Sequence, residues 1–406
     1  MSDCAPLVSP YPFQSRRFGE QLFIGGVLPI NPEGTLRGAG DIEAQTHAVF
    51  RNLQVALKSA GLEMSDLVRL NTYYVFEGDE SEATLYWERM TRVRLQYLPN
   101  PGPAATAVRV RGMGRSGALI QLEAEAFAAP AAQRQRIMPS RSWDWSIPVP
   151  LSQGWKIGSQ VWVGGQVSAD MAGKAVSIGD LPGQTHNVLE HIRHVLLDAG
   201  AGFADLTQLK VCYLHDGDAH AAEQRLQEIM KVIRDICGET LPPVTAFGIS
   251  LLYEGLLLEI DATAQVGLAS KALQTRASNC NWATEHQVLR TGSRIQIASL
   301  SARYKALEPA CEDVVNQLAL KLEAVGSSPT ALAHLHVFIA DDEANDVPEH
   351  AMSLFAAALR RLCGESLPPF TLVRVNGLPR GVPLQVDAVA VDLVIHSCSP
   401  ETPPTY

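Results

Sequence analysis

The sequence predicts an α+β chain of three tandem copies of one domain, each a mixed sheet covered on one face by two helices. Three observations carry this. A helical segment of constant length recurs: Gly61 stands 16 residues after Gln45 and Gly200 16 after Gln184, and Ala310 to Val325 keeps that spacing, with Gly326 standing 16 after Ala310. The spacing downstream is equally constant, 45 residues from Gly61 to Thr106, from Gly200 to Thr245 and from Gly326 to Thr371. Within each copy the hydrophobic period switches between that of strands and that of helices in the order ββαβαββ.

Each copy opens on a short β pair: Phe18 then Gln21 to Gly25, Trp155 then Gln160 to Gly164, and Arg294 to Ala298. The long helix follows; in the third copy Val314, Val315, Leu318, Leu322 and Val325 stand at helical spacing, and a glycine closes the helix each time. A β-rich run comes next (Leu67 to Phe76, Leu206 to His215, Leu332 to Ile339), then a second helix (about Glu82 to Tyr97, Ala221 to Ile236, Glu349 to Leu362). A Pro-containing turn ends that helix, because the residue before a proline favours an extended backbone. Two strands complete the unit, Ala105 to Val110 and Ala118 to Phe127 in the first copy.

The last strand is apolar at nearly every position, as in Leu256 to Ala264, so cover is expected on both of its faces. Two helices cover one face, and three sheets packed about a shared axis would cover the other. The expectation is therefore an intramolecular pseudo-trimer of repeats 1–130, 140–266 and 277–396. Polar linkers, Pro130 to Ser142 and Gly267 to Cys280, join the repeats, and the tail from Ser397 is expected to be mobile.

Composition narrows the function classes. Of 406 residues, 46% are apolar and 19% charged, which is the profile of a packed chain, and the length suits two to four domains of roughly 100 to 150 residues each. A net charge of −10 with no strong basic run disfavours nucleic acid as a partner, since affinity for a phosphate backbone rests on a basic patch. Seven cysteines (Cys4, Cys212, Cys237, Cys280, Cys311, Cys363, Cys398) include no CxxC pair, which argues against a disulfide frame or a zinc site and for a reducing compartment. With neither a secretory leader nor an apolar run of membrane-spanning length, a cytoplasmic, non-membrane protein is expected. Gly25-Gly26 and Gly164-Gly165 lack the spacing of a nucleotide loop, and His47, His186, His191 and His194 lack the third partner of a metal site, so no cofactor or metal is expected. Cys212, between Val211 and Tyr213, reads as a core thiol.

Phe23-Ile-Gly-Gly-Val-Leu-Pro-Ile-Asn-Pro-Glu-Gly34, Asp41-Ile-Glu-Ala-Gln45, Asn52-Leu53 and Ala60-Gly61 resemble, in order and spacing, the signature of the RidA (YjgF) family. The resemblance spans the first repeat, is good in the second and is weaker in the third, which keeps mainly the helix length and Leu367-Pro-Pro-Phe-Thr371. It implies a chorismate-mutase-like fold, trimeric association with a ligand cleft at each junction, and hydrolysis of reactive enamines and imines to a carbonyl compound and ammonia. Endoribonuclease activity, attributed to some relatives, fits the acidic balance poorly.

Family deaminases hold the substrate carboxylate with an Arg placed just before a Thr on the penultimate strand. That position is Ala105, Val244 and Phe370 here, while Thr106, Thr245 and Thr371 are kept. The family's acid–base Glu on the last strand corresponds to Gln121, Glu259 and Gln385, so only the second repeat keeps a carboxyl. Two residues on, Glu123, Asp261 and Asp387 are acidic in every copy, which points to a shared structural role. Glu259 is either the catalytic acid–base or a bonded remnant of an ancestral site. Arg109 and Arg374, three residues after the kept Thr, are either a relocated anion clamp or partners of acids such as Glu123 and Asp387.

Together these residues predict a RidA-like hydrolase or deaminase for a small metabolite lacking the usual carboxylate handle, working in the cleft that holds Glu259 with Thr245 beside it. The alternative is a non-catalytic small-molecule binder or scaffold with lapsed sites. The chain is expected to be a monomeric pseudo-trimer, open to further self-association.

Overall fold

The computed structural model describes residues 14–238, 241–250, 255–268, 287–341 and 348–392. Cys4, Cys280, Cys398, the tail from Ser397 and most of the Gly267 to Cys280 linker lie outside the described residues.

The first repeat comprises β1 (Ser15–Phe18), β2 (Gln21–Val27), α1 (Ile42–Ser59), β3 (Leu67–Tyr74), α2 (Ala83–Arg94), β4 (Ala104–Arg109), β5 (Gly112–Met113) and β6 (Ile120–Phe127). Then follow β7 (Arg134–Ile137), β8 (Gly154–Ile157), β9 (Gln160–Gln166), α3 (Leu181–Asp198), β10 (Leu206–Leu214), α4 (Ala219–Cys237), β11 (Val244–Ile249) and β12 (Leu258–Gln265). The third repeat runs β13 (Gln287–Thr291), β14 (Arg294–Ser301), α5 (Leu307–Ala324), β15 (Leu332–Ala340), α6 (Pro348–Cys363), β16 (Phe370–Val375) and β17 (Leu384–Val391). Each long helix begins about three residues earlier than the Gln-to-Gly spacing implies. Asp41 and Asp180, whose carboxylates accept from first-turn backbone N–H groups, fix that start in α1 and α3.

Each sheet is mixed, as predicted. The first has the order β1-β2-β6-β3-β4, with β3 and β4 parallel and the other pairs antiparallel. The other two repeat this order and add an edge strand each. β7 pairs with β8, so residues 134–137 of the expected linker are a strand of the second sheet. Their alternation of Arg and Gln is that of an exposed edge. β5, from a hairpin of the first repeat, pairs with β16 of the third. Among the described residues, no helix is long and apolar enough to cross a membrane.

Three apolar cores lie between a sheet and its two helices, one per repeat. A fourth draws on all three repeats, joining Tyr73, Val108, Cys212, Phe247, Phe338 and Val373 on the opposite sheet faces. Tyr73, Cys212 and Phe338 hold the same place in β3, β10 and β15, and Phe247 stacks on Phe338 with centroids 4.5 Å apart. Cys212 is buried in this core as expected, whereas the last strands β6, β12 and β17 give their apolar residues to the helix-side cores and carry buried polar groups such as Glu123, Asp261 and Asp387 on the other face.

The junctions repeat one contact. Gly164 on β9 approaches Ala105 so closely that a Cβ there would lie 2.9 Å from the Ala105 carbonyl oxygen. Ser299 Oγ on β14 donates to the Val244 carbonyl at 2.6 Å, and the Gly26 N–H on β2 donates to Thr371 Oγ1 at 3.0 Å. First repeat thus meets second, second meets third, and third returns to first.

Candidate functional site

The kept threonines and the repeated acids are spent on these junctions. Thr106 Oγ1 donates to Asp261 Oδ2 at 3.3 Å and Thr245 Oγ1 donates to Asp387, each across a junction. At the third junction His334 Nε2 lies 3.1 Å from Thr371 Oγ1, with Glu123 beyond it. Thr245 therefore faces Asp387 of the third repeat, and the structure does not bring it to the Glu259 cleft.

Arg109 and Arg374 do not meet Glu123 and Asp387. Arg109 lies over the Phe76 ring at 5.0 Å and its Nε donates to the Phe76 carbonyl, while Arg374 pairs with Asp341 at 2.5 Å. Arg109 is in register with Tyr74 at the end of β3, which faces Ile120 on β6, three positions from the Asn71 and Glu123 pair, and this is why it misses that acid.

Glu259 is at the first junction, on β12 of the second repeat opposite Ala105 and Ala107 of the first. A cleft of about 70 Å³ opens there, and its lining includes Tyr74, Trp87, Arg94, Trp143, Trp145 and Gly165. Trp143 and Trp145 come from the segment before β8, which spans the junction; Trp143 Nε1 donates to Gln166 Oε1 at 3.0 Å, fixing its ring. A Cβ on Gly165 would overlap the Glu259 carboxyl, so the glycine makes room for it. Gly165→Ala is accordingly expected to displace Glu259 and to cost about 1–3 kcal/mol of stability, which denaturant unfolding would check.

The electrostatics of the cleft are set by burial. The Glu259 carboxyl is pushed well above the usual carboxylate range, first by desolvation and then by nearby Asp261. Arg94 is only 1% exposed, and its Nε and Nη2 have no hydrogen-bond partner. Desolvation lowers its pKa to about 10, which leaves it charged at neutral pH. The Tyr74 hydroxyl, raised chiefly by burial, feels both Glu259 and Arg94.

Arg94 is the residue that sequence reasoning missed: from the last turn of α2 it brings a guanidinium into the lining of the cleft where Ala105 stands. A signal was present: Arg94 stands 33 residues after Gly61, where the other copies have Ile233 and Leu359 after Gly200 and Gly326. Those two are fully buried core residues, so a cation at that place in one copy breaks the apolar pattern.

The remaining junctions are more closed. At the Gly165 position the second junction has Ser299, whose hydroxyl bonds across, and Gln385 Nε2 donates to the Ala246 carbonyl at 3.3 Å. At the third, Phe370 packs edge-on against Phe355, 5.3 Å between centroids, and a Cβ on Gly26 would meet Gln121 Nε2 at 2.7 Å.

The structure also gathers a Glu–His–His group unforeseen from sequence: Glu123, His334 and His336 bring one ligand atom each to within 4.8 Å of one another. A His-x-His on one strand places both rings on one face, which was the available signal. Lys210 Nζ lies 3.5 Å from His336 Nε2, and Arg69 is held nearby by Asp261. With two cations already beside it, the group reads as part of a buried charge network.

A family model described as Endoribonuclease L-PSP matches residues 6–129 and 146–266. The chain belongs to this family. A RutC family protein of Pyrococcus abyssi is 32% identical over 115 residues, 28% of this chain and 85% of the relative. A RutC family protein of Sulfurisphaera tokodaii is 37% identical over 60 residues, 15% of this chain and 47% of the relative. Among solved structures, a chorismatase aligns over 62% of this chain and 77% of its own, with 16% identity and a TM-score of 0.46. A putative endoribonuclease of Thermotoga maritima aligns over 32% of this chain and 96% of its own, at 21% identity and a TM-score of 0.28. The Endoribonuclease L-PSP match covers the first two repeats, the pair whose junction holds the open cleft, and the third repeat has the same element order.

Proposed function

We propose that this chain is a RidA-like hydrolase for a small imine or enamine, working at the junction of its first two repeats with the three repeats forming an intramolecular pseudo-trimer. The observation that carries this reading is the pairing in one cleft of a buried carboxyl, Glu259, which desolvation pushes above the usual carboxylate range, with a buried guanidinium, Arg94, whose Nε and Nη2 have no partner among the described residues. A neutral carboxylic acid donates a proton to the imine nitrogen and so makes its carbon electrophilic. The resulting carboxylate takes a proton from the attacking water, and the carbinolamine collapses to a carbonyl compound and ammonia. Arg94 offers an anchor for an anionic substrate, and Glu259 is returned to its starting form at the end of the cycle.

The more closed second and third junctions, with Gln385 and Gln121 in place of the carboxyl, serve stability in this reading. The test is ammonia release from imines generated in solution by an amino-acid oxidase, with and without the protein. Acceleration that needs Glu259 supports the hydrolase. Ligand-induced thermal stabilisation with no turnover would favour the binding protein instead.

A further inference from the structure

We infer that the cleft at the first junction takes a flat, ring-bearing monocarboxylate, its carboxylate on Arg94 and its ring against Trp87, Trp143 and Trp145. The inference rests on reading this cleft as the working site and names its substrate class.

The first argument is the hydrogen-bonding deficit. Nε and Nη2 form one edge of the guanidinium, and their N–H bonds run parallel at the spacing of two carboxylate oxygens. On Arg94 both are buried and have no partner among the described residues. A buried cation in this state is costly unless something anionic arrives beside it. Among the described residues Arg94 is the one cation in the lining, so the complement is a single negative charge rather than a phosphate dianion.

Shape supplies the second argument. Trp87 and Arg94 are seven residues apart on α2, two turns along the same helix face. Across the cleft, Trp143 and Trp145 sit with ring centroids 4.9 Å apart at 57°, and the Trp143 ring is held by its bond to Gln166. Indole faces favour offset or edge contact with a flat ring. A three-carbon imino acid held on Arg94 would have no flat face to set against the three tryptophans of the lining.

The full-length chain is titrated with benzoate, benzamide and acetate while tryptophan fluorescence and binding heat are followed, for wild type, Arg94→Met and Arg94→Lys. Benzoate is expected to quench the fluorescence and to bind wild type at least about tenfold more tightly than Arg94→Met, with Arg94→Lys between them. Benzamide, the neutral isostere, is expected to bind the wild type and Arg94→Met alike, and acetate to bind most weakly. Arg94→Met should melt higher than wild type because the unpaired buried cation is gone, so loss of binding will not be loss of fold. Equal benzoate binding by wild type and Arg94→Met, or no preference for benzoate over benzamide or acetate, would overturn the inference. Arg94-dependent benzoate binding in a protein whose imine turnover ignores Glu259 would sink the hydrolase and leave the ligand class standing. Glu259-dependent turnover without that binding preference would do the reverse.

Discussion

Glu259→Gln is expected to cut ammonia release by about 10²- to 10⁴-fold, the contribution of a positioned acid–base group. Gln keeps the shape and fits beside Gly165, but an amide neither gives up a proton to the imine nitrogen nor takes one from water. Because burial raises the pKa of the wild-type carboxyl, turnover should fall as pH rises through that elevated pKa, and the residual rate of the variant should not show that limb. Stability should move the other way. A carboxyl whose folded pKa exceeds its unfolded value of about 4.3 costs the folded state nothing below that value. Above it the cost grows until the folded pKa is passed, at about 1.4 kcal/mol per unit of difference. Glu259→Gln removes this cost, so its melting temperature should match wild type in acid and exceed it at neutral and alkaline pH. Turnover unchanged by the substitution would take Glu259 out of the mechanism.

The repeated core was legible because it is written in spacing. The 45-residue interval from helix-ending glycine to threonine survives in all three copies, and an interval of that kind fixes element order even where residue identity has drifted. Two elements were not legible, and both are edge strands added to the repeated five. Arg134–Ile137 is polar and short, so its pattern is that of a linker until β8 is there to pair with it. Gly112–Met113 is two residues long and has meaning only against β16.

The site divides in the same way. Glu259 and the alanine at the family's arginine position could be found by counting along strands, because strand register is preserved. Arg94 reaches the same cleft from a helix, and the tryptophans reach it from the segment before β8. Those approaches depend on how two repeats dock, which no pattern within one repeat encodes. The threonines show the converse: they were kept in every copy, but for contacts at the junctions, Thr106 and Thr245 with a neighbour's carboxylate and Thr371 with the Gly26 N–H.

Asp261→Asn is expected to be the most destabilising single change, by about 3–5 kcal/mol, because it strands two buried cations. Asp261 of the second repeat pairs with Arg69 of the first, has Lys210 Nζ at 4.0 Å and accepts from Thr106. Lys210 in turn approaches His336 of the third repeat at 3.5 Å, and His336 Nε2 lies 2.6 Å from Glu123, back in the first. The chain of contacts therefore closes through all three repeats. Burial alone would raise the Asp261 pKa, but Arg69 and Lys210 outweigh it and hold the carboxyl below its usual range. A depressed folded pKa gives stability that is present above the unfolded value of about 3.9 and is lost as pH falls through the folded one. Wild type should consequently lose stability in that acid window, while Asp261→Asn, weaker at neutral pH, should lose less there. Urea unfolding at several pH values measures both effects, and adding Arg69→Met should restore part of the loss by removing one stranded cation. The form of the transition tests the closure itself. Repeats joined only by linkers would unfold in separate steps, with Asp261→Asn shifting the step of the repeat that carries it, whereas repeats locked through this network should unfold in one transition that shifts as a whole.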